Sequence, residues 1–115
     1  MKSIIGVVGP CAAGKTTLVS GLRRAGYEAR HIAQEHSYVA DMWKRLIEPD
    51  ILIYLNVSYP LTLTRRNMDW TKAEYNEQLR RLSHARQYAD LFVDTDTLSP
   101  QEVFDQVQCY VNEFD

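Results

Sequence analysis

The chain has 115 residues, of which 45% are hydrophobic, and carries a formal net charge of −2 at pH 7. This length and composition predict a single domain over residues 1–115 with a modest core. The slight acidity argues against general nucleic-acid binding, which needs a strongly basic surface, and no apolar run is long enough to span a membrane. Cys11 and Cys109 lack metal-ligand spacing and no leader-like segment is evident, so we expect free thiols in a cytoplasmic protein.

The most specific pattern lies near the start of the chain. An apolar run from Ser3 to Val8 predicts the first strand, and the next residues satisfy G-x-x-x-x-G-K-[ST] at every fixed position. A loop of this kind joins a strand to a helix so that successive backbone N–H groups converge on one anion. The sequence therefore predicts a phosphate-binding loop made of Gly9, Pro10, Cys11, Ala12, Ala13, Gly14, Lys15, Thr16 and Thr17.

The residues of this loop have different predicted roles. Gly9 and Gly14 permit the tight turn. Lys15 reaches the β- and γ-phosphates of a bound nucleotide, and Thr16 offers its hydroxyl to Mg²⁺. Cys11 is interpreted as a small space-filler, because the backbone of such a loop does the binding.

The rest of the chain alternates between helix and strand signals, which is typical of a parallel sheet with helices on its faces. Apolar stripes and capping residues predict helices over about 15–25, 37–48, 58–67, 71–89 and 99–114. A capping box, Thr71-x-x-Glu74, opens the helix over 71–89. Further strands are predicted over 28–33, 51–57 and 91–93, and right-handed crossovers predict the strand order 2-1-3-4.

The carboxyl ends of parallel strands are where ligands bind in such a sheet, and this rule sorts the polar residues. Residues 34–36 follow the second strand, Asn56 closes the third and residues 94–96 follow the fourth, so all of them face the loop. Asp50 opens the third strand instead. We expect it at the opposite end of the sheet and not in catalysis.

Three stretches of the chain resemble the P-loop kinase group, the nucleotide and small-metabolite kinases related to thymidylate, shikimate and adenylate kinases. These stretches are residues 9–16, residues 48–66, and residues 86–95 with the helix that follows. The resemblance implies an α/β, three-layer P-loop NTPase fold with about four strands. Two departures are a lid reduced to residues 67–70 and, at residues 25–27, a short turn where those kinases insert elements that bind the phosphate acceptor.

The resemblance also implies cofactors and site residues. The cofactors are ATP and Mg²⁺, with the metal at Thr16 and Glu35. Arg65 or Arg66 resembles the arginine at the base of the lid, which packs on adenine or contacts phosphate. The segment that reads the adenine edge corresponds to Asp94, Thr95, Asp96 and Thr97. The candidate catalytic residues are Lys15, Glu35, Arg65, Arg66 and Arg86.

Several of these candidates have a structural alternative. Glu35 assumes the role of the acid that many relatives carry at the position of Asn56, or it is a solvated loop carboxylate near a helix start. His36 is a proton carrier or a surface histidine. Arg86 stabilises a transferring phosphate, or its stem packs along the core while its charge stays in solvent.

Two classes of function follow from these expectations. The leading hypothesis is a kinase-like enzyme that transfers the γ-phosphoryl of Mg-ATP to a small acceptor such as a nucleoside, a nucleotide or another metabolite. The alternative is a module that binds or senses ATP or ADP and acts through a partner or as a homodimer. A slow NTPase, with water as the acceptor, is a third possibility.

Overall fold

The computed structural model describes residues 3–114 and shows an α/β fold in which helices flank one parallel sheet. The strands are β1 Ile4–Val8, β2 Glu28–His31, β3 Ile51–Asn56 and β4 Leu91–Asp94. They are ordered β2-β1-β3-β4, and every neighbouring pair is parallel. The predicted order 2-1-3-4 is therefore confirmed, although β2 ends before residue 33 and β4 extends one position beyond residue 93.

Six α-helices and one short 3-10 turn connect and cover the strands within residues 3–114. The helices are α1 Lys15–Arg24, α2 Met42–Leu46, α3 Tyr59–Arg65, α4 Lys72–Arg81, α5 Ser83–Tyr88 and α6 Pro100–Phe114. The 3-10 turn is Gln34–His36. Within this range no helix has the length and hydrophobicity needed to cross a bilayer.

Two predicted helices are wrong in extent, and one buried side chain explains both differences. Gln34 Nε2 donates to the Val39 carbonyl at 2.8 Å, and Gln34 Oε1 accepts from the Trp43 N–H at 2.8 Å. These bonds hold the segment between Gln34 and Met42 in a non-helical conformation, so the helix predicted from residue 37 begins only at Met42. Gln34 Nε2 also donates to the Arg81 carbonyl at 3.2 Å, which a continuous helix would need for its own ladder. The helix predicted over 71–89 is accordingly divided into α4 and α5.

The core occupies both faces of the sheet, because successive strand residues point to opposite sides. Ile51, Ile53 and Leu55 of β3 pack on one face with α1 and α6, whereas Leu52 and Tyr54 pack on the other with α2 and α5. The nearly continuous apolar run of β3 is thus buried on both sides, as a central strand requires.

The carboxyl ends of the four strands meet at one edge of the sheet. This edge carries the segment between β1 and α1, the 3-10 turn after β2, and the loops after β3 and β4. Asp50 lies at the other edge, where its Oδ2 accepts a hydrogen bond from the Ile4 N–H at 2.7 Å. Its predicted position away from the candidate site is confirmed.

Candidate functional site

The segment between β1 and α1, residues 9–14, is called the glycine loop below, and its backbone has an unusual geometry. Gly9, Ala12 and Gly14 have φ values of 156°, 69° and 94°. A Cβ atom on Gly9 would lie 2.2 Å from the Leu55 carbonyl oxygen of β3. Glycine is therefore needed at position 9 for space as well as for conformation. Ala12 is a non-glycine residue in the left-handed region, where strain is found mainly at functional positions.

Helix α1 begins directly after the glycine loop without a side-chain cap. Gly14 occupies the N-cap position and gives the helix no side-chain hydrogen bond. The first N–H groups of a helix have no partner inside it, so those of Lys15, Thr16 and Thr17 are left for another acceptor. These amides and the helix dipole favour a negatively charged ligand at this end.

The Lys15 side chain folds back over the glycine loop and is only 6% exposed. Its Nζ donates to the carbonyl oxygens of Gly9 at 2.7 Å and Pro10 at 2.9 Å. The same Nζ lies 2.9 Å from Glu35 Oε2. A buried ammonium group is thus held at the start of α1 by two loop carbonyls and one carboxylate.

Glu35 lies in the 3-10 turn after β2 and is 3% exposed. Its Oε2 pairs with Lys15, but its Oε1 is buried and has no hydrogen-bond partner within the described part of the chain. The interpretation of Glu35 as a solvated loop carboxylate is wrong. A buried oxygen without a partner is costly, and it marks a place where a cation or a hydrogen-bond donor would be favourable.

Arg65, at the end of α3, connects three segments on the opposite side of the glycine loop from Glu35. Its Nη1 donates to the Thr95 hydroxyl at 2.9 Å and its Nη2 to the Thr95 carbonyl at 2.6 Å. A longer bond of 3.4 Å joins Nη1 to the Ala12 carbonyl. The Thr95 hydroxyl in turn donates to the Asn56 carbonyl at 2.7 Å, which fixes the loop after β4 against β3.

A cavity of about 270 Å³ opens between the glycine loop, Arg65 and the start of α6. Its walls are formed by Ala12, Ala13, Gly14, Thr17, Leu18, Arg65, Thr95, Leu98, Pro100 and Val103. Small-molecule sites are usually concave and mostly apolar, with a few polar groups that fix orientation. This cavity has that character, and its volume suits one part of a larger ligand.

Two of the candidate arginines lie outside this arrangement. Arg66 is exposed and forms no hydrogen bond or ion pair within residues 3–114. Arg86 is also exposed, and its guanidinium carbon lies 5.0 Å from the centre of the Phe92 ring. Arg86 therefore places its guanidinium over an exposed aromatic ring of β4 and is not brought to the glycine loop.

Of the four candidate residues at the end of β4 and in the loop after it, only one lies at the cavity. Thr95 lines the cavity, whereas Asp94, Asp96 and Thr97 do not. Asp94 Oδ1 accepts from the Asp96 N–H at 3.1 Å, and Asp96 Oδ1 accepts from the Ser58 N–H at 2.8 Å. These two carboxylates stabilise the turn, and Thr97 is exposed.

Gln78, a buried residue of α4, was missed from the sequence. Its Oε1 accepts from the Cys11 N–H at 3.0 Å, and its Nε2 donates to Cys11 Sγ at 3.1 Å. Cys11 is therefore more than a space-filler, because both its amide and its thiol are engaged. The available signal was a polar residue three positions after Tyr75 on the buried face of the helix. Both Cys11 and Cys109 are free thiols, as expected.

Three titratable groups near these strands have shifted pKa values. Partial desolvation, and then the positive charge of Lys15, lowers the pKa of His31 at the end of β2. Burial raises the pKa of Tyr54 to about 12 and also raises the pKa of Tyr75. Both tyrosines thus stay neutral at pH 7, and Tyr75 donates its hydroxyl proton to the Val57 carbonyl at 2.7 Å.

No known protein family and no curated protein matches the chain. A function must therefore rest on the site itself. The site combines a buried cation, free helix amides and an apolar cavity at one edge of the sheet. An anion attached to a flat apolar group is the kind of ligand that such an arrangement can hold.

Proposed function

We propose that the chain is a P-loop protein of the three-layer NTPase type, which binds Mg-ATP and transfers its γ-phosphoryl group to a small acceptor. The observation that carries the proposal is the position of Lys15. Its buried ammonium group donates to the Gly9 and Pro10 carbonyls directly above the uncapped start of α1. Phosphate oxygens are stronger acceptors than these carbonyls and also accept from the free amides, so a triphosphate replaces the internal partners of Lys15.

The cavity supports a defined orientation for the nucleotide. Leu98, Pro100 and Val103 supply apolar walls for the base, and the Arg65 guanidinium lies at the edge of the same space. Gly14 and Thr17 line the cavity and also belong to the start of α1. The base therefore occupies the cavity, and the phosphates extend over the helix start toward Glu35.

The residues around Lys15 fit the Mg²⁺ that the proposal requires. Mg²⁺ prefers oxygen ligands and keeps several waters, so it needs few protein groups. The exposed Thr16 hydroxyl and the unpartnered Oε1 of Glu35 are oxygens of this kind. When bound, Mg²⁺ would neutralise part of the negative charge of the triphosphate.

The transfer itself depends on positioning by the residues of the chain. Lys15 moves from the loop carbonyls to the phosphates and stabilises the charge of the transferring group. This movement frees Glu35 Oε2, whereas Oε1 is the oxygen that would hold Mg²⁺. Glu35 Oε2 then accepts the proton of the attacking hydroxyl, whose oxygen bonds to the γ-phosphorus while the bond from that phosphorus to the bridging oxygen breaks and ADP leaves.

A slow NTPase reaction is the second candidate, and the connection between α1 and β2 favours it. Residues 25–27 join these elements directly and leave no room there for an acceptor-binding element. Water reaches the γ-phosphate side more readily in such a protein, and it replaces the acceptor. Release of ADP in the absence of any acceptor distinguishes this reaction from the kinase reaction.

The first test is calorimetric titration of ATP, ADP and GTP, each with Mg²⁺, into the wild type and Lys15→Ala. We expect micromolar ATP binding to the wild type and none to Lys15→Ala. Lys44→Ala is the matched control, since it removes an exposed lysine of α2 and leaves the loop unchanged. Equal binding by all three proteins, or no binding by the wild type, would contradict the proposal.

The second test compares two adjacent arginines. Arg65→Ala removes the bonds to Thr95 at the cavity edge, so we expect Kd for ADP to rise by about tenfold, the loss of roughly one charge-assisted hydrogen bond. Arg66→Ala removes the same charge one position later, and we expect it to change Kd by less than about twofold, as exposed charges usually do. Equal effects of the two substitutions would show that the base does not occupy this cavity.

A further inference from the structure

Three side chains beside the glycine loop place different donor atoms close together. One atom each from Cys11, Glu35 and His36 can be chosen so that all lie within 4.8 Å of one another. The Cys11 Sγ is 3.9 Å from His36 Nε2, and this nitrogen is 3.8 Å from Glu35 Oε2. Cys11 belongs to the glycine loop and the other two belong to the 3-10 turn after β2, so the fold brings them together across the carboxyl edge of the sheet.

We propose that Cys11, Glu35 and His36 form a binding site for a borderline transition metal, of which Zn²⁺ is the representative. A thiolate, an imidazole and a carboxylate are a donor set for such a metal and not for Mg²⁺, which prefers oxygen alone. This site is separate from the Mg²⁺ position at Thr16, although it shares Glu35. Three protein ligands leave a fourth position for water, which is typical of exchangeable zinc sites.

Two of the three distances between donor atoms are close to those that a zinc ion requires, and the third, from Cys11 Sγ to the Glu35 carboxylate, is within 4.8 Å. Zinc bonds to sulfur, nitrogen and oxygen place tetrahedral ligand atoms about 3.4–3.6 Å apart. The pairs at 3.9 and 3.8 Å need to approach by only a few tenths of an ångström. The His36 side chain is 61% exposed, so it can make this adjustment without disturbing the core.

Two further contacts favour a metal at this place. The Glu35 side chain is only 3% exposed, and its Oε1 has no hydrogen-bond partner within residues 3–114. A cation bound here would therefore satisfy an oxygen that the fold leaves unpaired. Gln78 Nε2 donates to Cys11 Sγ at 3.1 Å. A donor directed at the sulfur stabilises the thiolate and fixes its orientation, as groups outside the ligand set do in metal sites.

Lys15 is the internal competitor of this metal. Its Nζ lies 2.9 Å from Glu35 Oε2, so a divalent ion bound to the same carboxylate is repelled by this ammonium group. Metal binding therefore draws Glu35 away from Lys15. Replacement of Lys15 by the neutral Met removes the competing charge, so it strengthens metal binding, whereas it abolishes the proposed nucleotide binding. The two proposals thus predict opposite effects of one substitution.

The test is a titration of the whole chain with Co²⁺, a spectroscopic substitute for Zn²⁺, in the absence of nucleotide. A thiolate ligand produces a sulfur-to-cobalt charge-transfer band. Cys109→Ser leaves Cys11 as the only thiol, and Cys109 is exposed at a distance from the loop, on α6. We expect the wild type and Cys109→Ser to bind one ion with this band, and Cys11→Ser to show no band.

Two more variants complete the titration. We expect His36→Ala to weaken Co²⁺ binding by at least about tenfold and Lys15→Met to strengthen it by at least about threefold, since the first removes a ligand and the second a repelling charge. Zn²⁺ should displace Co²⁺ from the wild type, in accordance with the usual order of affinities. The absence of a band in Cys109→Ser would overturn the proposal even if Cys11→Ser failed to fold. An unchanged affinity in His36→Ala would overturn it as well.

Discussion

Helices α1 and α4 begin in opposite ways. At α4, Thr71 Oγ1 accepts from the Glu74 N–H at 3.1 Å, and Glu74 Oε1 accepts from the Thr71 N–H at 3.0 Å. This capping box satisfies the helix start from within. At α1 the N-cap residue is Gly14, which provides no side-chain acceptor. The start of α4 is capped by its own side chains, and the start of α1 has no side-chain cap.

The two starts also differ in what surrounds them. The start of α1 is approached by a loop with three positive φ values and is covered by a buried ion pair between Lys15 and Glu35. Such features cost folding free energy unless another contact offsets them. The start of α4 is exposed and needs only its own side chains. Of the two helix starts, the one with the positive φ values and the buried ion pair is the one where we propose that the nucleotide binds.

The largest expected effect comes from breaking the glycine loop. In Gly9→Ala the new Cβ would lie 2.2 Å from the Leu55 carbonyl oxygen, so β3 or the loop has to move. We expect a loss of about 3 kcal/mol or more in the free energy of unfolding, measured by urea denaturation. Gly14→Ala is the control, because its Cβ meets no atom within 4 Å and only the φ of 94° is unfavourable. That variant should lose about 1–2 kcal/mol, and a larger loss than in Gly9→Ala would contradict the steric argument.

Removing one partner of the buried ion pair is expected to have a smaller effect on the free energy of unfolding. Lys15→Met leaves the Glu35 carboxylate buried without a partner, so we expect a loss of about 3 kcal/mol in the free energy of unfolding. The double variant Lys15→Met with Glu35→Gln removes both charges and should recover more than half of that loss. Lys44→Met, on the exposed face of α2, should leave stability unchanged. If the single and double variants were equally stable, the pair would not be the source of the cost.

The third prediction concerns the capping box at the start of α4. Thr71→Ala removes the hydroxyl that accepts from the Glu74 N–H, and it should cost about 1 kcal/mol of folding free energy, measured by thermal unfolding. The proposed binding of Mg-ATP should be unaffected, because Thr71 lies at the start of α4, and the residue of this helix that contacts the glycine loop is Gln78, two turns further on. Lys72→Ala, an exposed neighbour, controls for a change of the surface charge. A large change in nucleotide affinity in Thr71→Ala would mean that the two helix starts are not independent.

The sequence predicted those features that depend on neighbouring residues. The capping box of α4 and the strand–loop–helix unit at the start of the chain are local patterns, and both are present in the structure. The strand order followed from the handedness of crossovers and is confirmed. The placement of residues 34–36 at the carboxyl edge also followed from strand direction alone.

The features that could not be predicted depend on contacts between distant residues. Gln34 divides the helix predicted over 71–89 by taking the Arg81 carbonyl, 47 positions further along the chain. Gln78 reaches Cys11 across 67 positions. Periodicity carries no information about such pairs, because in each one a side chain bonds to a backbone group, and backbone groups are present at every position.

The smallest predicted effect is a titration that reports the charge at the start of α1. Partial desolvation and the Lys15 charge hold the folded pKa of His31 below its ordinary value of 6.5, so protonation favours the unfolded chain. The contribution of His31 to stability is therefore present above about pH 6.5 and is lost as pH falls through the folded pKa. An NMR titration of the His31 ring should show a higher pKa in Lys15→Met, and a lower one in Glu35→Gln, because the Glu35 charge raises it. Thr71→Ala should leave it unchanged, since α4 contributes no charge to this group. If the His31 pKa were the same in all these proteins, the Lys15–Glu35 pair would act only on its immediate contacts. The proposed electrostatic difference between the starts of α1 and α4 would then be wrong, and only their difference in capping would remain.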